Sequence, residues 1–292
     1  MKIRAHETFF IRKGWINKGL KYVNKNPDVF IDKVNRPSDV LGMGNNMVKS
    51  LRYWMQATGL TEESKTGKRT QHFTELGDIV RKYDPYVEEL GTLCLLHYKL
   101  AQNRELATSW YFFYNIFNQK EFSKYDFVDA LNKYLRVNGL EVAERSLDDD
   151  FNCLINTYIS RSILSPEKQQ PESNIDSPLG ELGLIAVANK KEKTFRKVIP
   201  SINVIPVEIA MHIIKDNAKG KREIQISNIY NGENNLGKVF NLDMISLMSI
   251  LHSLENEGYI KVIRTAGLDV VRVYADTDST ELVKNYYISL NS

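Results

Sequence analysis

Cysteine, long apolar runs and recognisable catalytic signatures are all scarce in this chain, and each scarcity removes a class of protein. Two cysteines in 292 residues, Cys94 and Cys153, give no disulfide framework and no metal-ligand spacing, and they fit a reducing compartment. The stretch nearest to a membrane span, residues 182–188, is too short to cross a bilayer. The opening residues MKIRAHETFFIRKG lack the long apolar segment of a signal peptide, so a cytoplasmic protein with no membrane partner is expected. No Walker-type phosphate loop, Gly-x-Ser-x-Gly elbow, HExxH or Cys/His metal spacing occurs, nor any readable nuclease motif. Gly42-Met43-Gly44 is a fragment of a dinucleotide fingerprint, but it does not follow a strand and reads as a turn.

Charge of one sign is also scarce overall, since the net is only +3, but its distribution is uneven. Residues 1–82 carry 16 Lys and Arg against 8 Asp and Glu, whereas the remainder carries 23 against 28. A positive potential concentrated on the first part steers toward a polyanion, and an acidic protein would be served by it too. What that part contains favours nucleic acid.

Residues 36–60, RPSDVLGMGNNMVKSLRYWMQATGL, are the stretch around which the basic part is organised. On a helix starting near Asn45, the residues Val48, Leu51, Trp54 and Met55 share one side. Asn45, Asn46, Lys49, Arg52, Tyr53 and Gln56 are read on the other, where amides and a guanidinium can reach base edges and a lysine and a phenol can reach phosphates. Residues 37–41 can form a short preceding helix, and Gly42-Met43-Gly44 supplies the tight turn of a helix-turn-helix. The basic loop that follows, with Lys65, Lys68 and Arg69, is expected to be a wing whose cations touch phosphates. A bundle helix with a solvated basic face is the competing interpretation.

Elsewhere the pattern is helical. Residues 9–24 place Phe9, Trp15, Ile16, Leu20 and Val23 for burial, with Trp15 read as core. Asp84 is expected to cap a helix over residues 85–101 that turns His97 into a core, where a hydrogen-bonded structural histidine is the ordinary outcome. Residues 105–117 read as an aromatic-rich helix, and Ser123 or Asp126 as the start of the next. Asp148-Asp149-Asp150 precedes FNCLINTYI; three acids there can cap a helix or hold magnesium. Residues 165–178, polar and holding three of the 8 prolines, mark a boundary.

The last part repeats the first: helices over residues 206–216, from 226 to 231, and over 241–257, then a hairpin around Ala266-Gly267. Its third helix has no Lys or Arg, so this module is expected to pack on another domain or on a second subunit, as in a homodimer. The fold class expected is mainly α with small β wings. It comprises a winged helix-turn-helix over residues 1–82, a helical middle domain over 83–164, a linker and connecting segment over 165–200, and a winged-helix-like domain over 201–292.

Five ordered stretches resemble a bacterial family long catalogued as a domain of unknown function: HETFFIRKGWINKG (6–19), LGMGNNMVKSLRYW (41–54), DPYVEELGTLCLLHYKLA (84–101), DDDFNCLINTY (148–158) and SPLGELGLI (177–185). Its members include the nicking component of single-strand DNA phosphorothioation defence systems. The resemblance implies a protein that acts on duplex DNA beside a cysteine desulfurase, an ATPase and an ATP pyrophosphatase-like partner, opening one strand so that sulfur can replace a non-bridging phosphate oxygen. It carries no catalytic residue across. If cleavage takes place here, carboxylates near the DNA must hold Mg2+, and Asp84, Glu88, Asp149 and Asp150 are the candidates. The alternative is a non-enzymatic DNA-binding adaptor or transcriptional regulator that recruits partner proteins.

Overall fold

The computed structural model describes residues 1–160, 163, 176–265, 268–274 and 276–290. Mainly helical, with small antiparallel sheets, it is organised around one helix, α5 (Leu90–Gln102), in which Gly91–Tyr98 are buried on every side. A helix apolar all round can exist only if other elements enclose it. Here the helices over Thr108–Tyr111 and Val207–Ala218 and a 3-10 turn at Pro178–Leu182 do so.

Ahead of α5 come α1 (Trp15–Lys25), α2 (Pro37–Leu41), α3 (Asn45–Ala57), a ribbon of β1 (Thr61–Glu63) and β2 (Gln71–Phe73), and α4 (Glu75–Tyr83). Pro37 opens α2 where its missing N–H costs nothing, and Gly42 ends it at φ 58, a left-handed conformation that glycine adopts freely. β1 and β2 pair antiparallel with Glu62 opposite His72. The first helix is shorter than residues 9–24. Arg4, Glu7 and Thr8 have positive φ, so residues before Gly14 run as an irregular arm that still buries Phe10 and Ile11.

After α5, α6 (Thr108–Tyr111) passes directly into a π-helical turn, Phe112–Ile116, where a continuous helix was expected. β3 (Glu121–Phe122) and α7 (Lys124–Val137) follow, and Ser123 and Asp126 form a reciprocal capping box at the start of α7. Next, α8 (Glu144–Tyr158) begins before the three acids, so Asp148, Asp149 and Asp150 lie within the helix and do not cap it. The expected boundary segment 165–178 falls almost wholly outside the described residues. Beyond it, β4 (Ile185–Asn189) and β5 (Thr194–Lys197) join β3 in a sheet of order β3-β5-β4.

The last part contains α9 (Val207–Ala218), β6 (Glu223–Gln225), α10 (Ile226–Asn231), α11 (Leu236–Val239), α12 (Met244–Asn256), β7 (Ile260–Thr265), β8 (Leu268–Val273) and α13 (Ser279–Ser289). Its sheet has the order β6-β8-β7, with Val262 opposite Val271. The tip at Ala266-Gly267 is outside the described residues. Buried side chains run without a break from Phe10 to Tyr287, so the elements share one core.

Candidate nucleic-acid interface

The face of α3 proposed to meet DNA is divided in two by its neighbours. Asn45, Asn46 and Lys49, on its first two turns, are exposed. Lys49 Nζ is 4.0 Å from Glu7 across an open surface. One turn on, Arg52 and Gln56 are half-buried and point at the ribbon. Glu63 Oε1 accepts from Arg52 Nε at 2.8 Å, from Gln56 Nε2 at 2.8 Å and from Gln71 Nε2 at 3.3 Å. The Arg52 Nη2 atom is 2.6 Å from the same oxygen. A single carboxylate thus ties α3 to both strands and consumes two of the donors expected to read bases, Arg52 and Gln56. The signal missing from the sequence was a register: nothing in the spacing shows that a strand two turns later will lay Glu63 against Arg52.

Tyr53 is placed differently from the expectation. It is only 8% exposed, with its ring 5.1 Å from that of Trp54 and 6.2 Å from that of His6. Burial, reinforced by the Asp150 charge, pushes its phenol well above the ordinary tyrosine range, so it is a neutral core group. The helix rotates Tyr53 inward because the arm ahead of α1 covers it: Trp54 Nε1 and Ser50 Oγ both donate to Phe9 O, at 3.0 and 3.3 Å. At the ribbon tip Lys65, Lys68 and Arg69 are exposed, and Lys68 Nζ is 3.6 Å from Asp28. The Arg69 carbonyl accepts from Arg52 Nη2 at 3.4 Å, so the tip and α3 are held as one surface.

The four carboxylates weighed for chemistry do not form a group. Asp84 is buried and its oxygens accept Glu88 N–H and Glu89 N–H, both at 3.0 Å, and Thr92 Oγ1 at 2.6 Å. It caps the approach to α5, which starts at Leu90 and not at Pro85 because Val87 takes a positive φ of 60. Glu88 is exposed. Asp149 pairs with Arg4 Nε at 2.7 Å, and Asp148 with Lys124 at 3.4 Å. Asp150 is buried; it accepts Arg4 N–H at 2.7 Å, His6 Nε2 at 2.8 Å and the Ser109 hydroxyl. Asp149 and Asp150 therefore anchor the N-terminal arm to α8. Among the described residues no three His, Cys, Asp or Glu side chains come together as a metal site.

His6 was not singled out by sequence, although it begins the first of the resembling stretches. Its Nδ1 accepts Thr8 N–H at 3.1 Å while Nε2 faces Asp150. Burial opposes a charge on the ring, and the neighbouring Cys153 sulfur and Asp150 carboxylate act against it by raising the ring's proton affinity. A second proton on Nδ1 has to displace the Thr8 N–H, so the geometry is that of a ring donating from Nε2 alone. His97 is the core residue expected of it: Tyr158 OH and Val239 O each lie 2.7 Å from a ring nitrogen.

A family model described as "Protein of unknown function (DUF4007)" matches residues 3–287. No curated protein matches the chain. Two solved structures share its fold, a crystal structure of SspB and a magnesium ion-bound crystal structure of SspB. Each superposes at a TM-score of 0.84 with 23% sequence identity, over 100% of this chain and 89% of the other.

Proposed function

The chain belongs to the DUF4007 family, and on that footing we propose that it is a duplex-DNA-binding component of a bacterial phosphorothioation-type defence system. The observation that carries this reading is the joined surface of α3 and the ribbon, where Asn45, Asn46 and Lys49 stand exposed beside Lys65, Lys68 and Arg69. Helix, helix, helix and two-stranded ribbon is the order of a winged helix-turn-helix, which puts the third helix in a groove and the ribbon on the backbone. Exposed lysines and arginines there neutralise phosphates, and the two asparagines reach base edges. The DNA contacts then shift toward the first half of α3, because Arg52 and Gln56 serve Glu63 and Tyr53 serves the core. The defence setting is supported by the resemblance of the five stretches and by the fold shared with SspB.

The proposal extends to one-strand nicking through that same resemblance, and it meets an obstacle in the carboxylates. Asp84, Asp149 and Asp150 spend their oxygens on backbone amides, Arg4 and His6, so as they stand they do not fit a Mg2+ centre. This favours a second reading, a DNA-binding adaptor that leaves cutting to a partner protein. Incubation with supercoiled plasmid, in Mg2+ or Mn2+ against a chelator, separates the two on a gel. Metal-dependent open circles put the nick on this chain. Retarded but intact supercoils make it the adaptor, and unretarded plasmid at low salt removes DNA binding altogether.

A further inference from the structure

On the side of the molecule where the π-helical turn, β5 and α11 meet, a cavity of about 300 Å3 is lined by Tyr114, Asn118, Lys120, Lys197, Tyr230 and Lys238. Three lysines around one small cavity repel each other, and against them the lining sets a single carboxylate, Asp243, whose charge Lys120 feels. Lys197 Nζ donates to Phe113 O at 2.6 Å and to Phe117 O at 2.5 Å. Lys238 Nζ donates to Asn118 Oδ1 at 2.6 Å. Both ammoniums are therefore held by neutral oxygens, and among the described residues none of the three lysines forms an ion pair with a carboxylate. The one acid in the lining, Asp243, caps α12 by accepting Ser246 N–H at 2.8 Å.

Burial, with the nearby Lys238 charge, pulls Lys197 down to about 7. The two carbonyls and the faces of Phe113 and Phe117, 4.5 and 5.7 Å from Nζ, steady the ammonium but do not neutralise it, and a desolvated cation without an anion is costly. An oxyanion seated between the ammoniums would supply negative charge, favour full protonation of Lys197 and find a further donor in the Tyr230 hydroxyl, which also lines the cavity. A volume of about 300 Å3 is at the small end of ligand pockets. It takes a phosphate or diphosphate group and excludes the body of a duplex.

We propose that this lysine-lined cavity is a binding site for a small phosphate-bearing molecule of about diphosphate size, separate from the DNA surface on α3. The site goes beyond the DNA-binding reading and does not rest on it.

Calorimetric titration of the full chain with inorganic phosphate and with pyrophosphate tests it, beside a parallel titration with duplex DNA. Saturable pyrophosphate binding is expected, weakened about tenfold or more in Lys238→Met and in Lys120→Met. Both side chains reach the cavity from its rim, so these variants keep the melting temperature of the parent. Duplex affinity stays as in the parent in both, whereas Lys49→Ala loses duplex affinity and keeps pyrophosphate. Absence of saturable binding, or equal binding in parent and variants, overturns the site. Displacement of pyrophosphate by duplex, with matching loss of duplex affinity in Lys238→Met, also overturns it, by making the cavity part of the DNA path.

Discussion

His6 Nε2 lies 2.8 Å from Asp150 Oδ1, with both side chains buried, and this contact fastens the arm ahead of α1 to the middle of α8. Asp150 also takes Arg4 N–H and the Ser109 hydroxyl, so its carboxylate satisfies three donors, two of them fully buried. Asp150→Asn cannot accept from all three and is expected to lower stability by about 3 kcal/mol. Urea denaturation checks this. The cycle with His6→Gln should show strong coupling, and additive losses would mean that the contact does not join the two elements.

Lys49→Ala and the pair Lys68→Ala with Arg69→Ala act at exposed positions. Each is expected to weaken duplex binding and to reduce the slope of log affinity against log salt by about one per lost phosphate contact, while the melting temperature stays unchanged. Unaltered affinity in the combined variant would remove this surface as the DNA contact.

Arg52→Met is expected to behave differently. Its loss takes the charged partner from Glu63 and leaves only the Gln56 and Gln71 amides on it, so thermal stability falls by about 1 to 2 kcal/mol together with DNA affinity. Glu63→Gln should copy the stability loss. A variant at Arg52 that binds DNA poorly with undiminished stability would return the guanidinium to direct contact.

Acid should unfold the protein partly through His97, whose pKa burial lowers to about 4. The unfolded chain binds that proton near pH 6.5 and the folded one does not, so the stability from this group is whole above pH 6.5 and is lost as pH falls toward 4. The loss is on the order of 3 kcal/mol across that window. Denaturation midpoints at pH 7 and 4.5 should diverge less in His97→Gln than in the parent. Equal divergence would assign the acid sensitivity elsewhere.

Gly91→Ala tests how closely α13 sits on α5. A Cβ at this position falls 2.2 Å from Tyr286 Cε1, and Gly91 N–H donates to the Tyr286 hydroxyl at 3.0 Å. The ring must move, at about 1 to 3 kcal/mol, and limited proteolysis should then cut earliest in α13. Full resistance to protease in this variant would contradict the packing.

The elements that could be read from sequence were those whose signals are local. Pro37 and Gly42 bracket α2, and Ser123 with Asp126 announces α7, because caps and turns are decided within four residues. His97 was legible because a helical period points it inward. Other features depended on partners distant in the chain. Tyr53 is turned inward by residues of the arm, Arg52 is claimed by Glu63, and Asp150 is claimed by Arg4 and His6, which lie more than 140 residues away. Amphipathic spacing tells which residues share a face, and it cannot tell which faces a later segment will cover.

α5 is covered by segments from both ends of the chain, and the last cover to arrive is α13, whose Tyr287 hydroxyl lies 2.6 Å from Thr92 Oγ1. During synthesis, α5 leaves the ribosome nearly 200 residues before that partner exists. A helix apolar on every side has no stable exposed state, so the growing chain must shelter it with the earlier covers, and its last face stays open until α13 emerges. Completion of the fold is thereby timed to the emergence of α13.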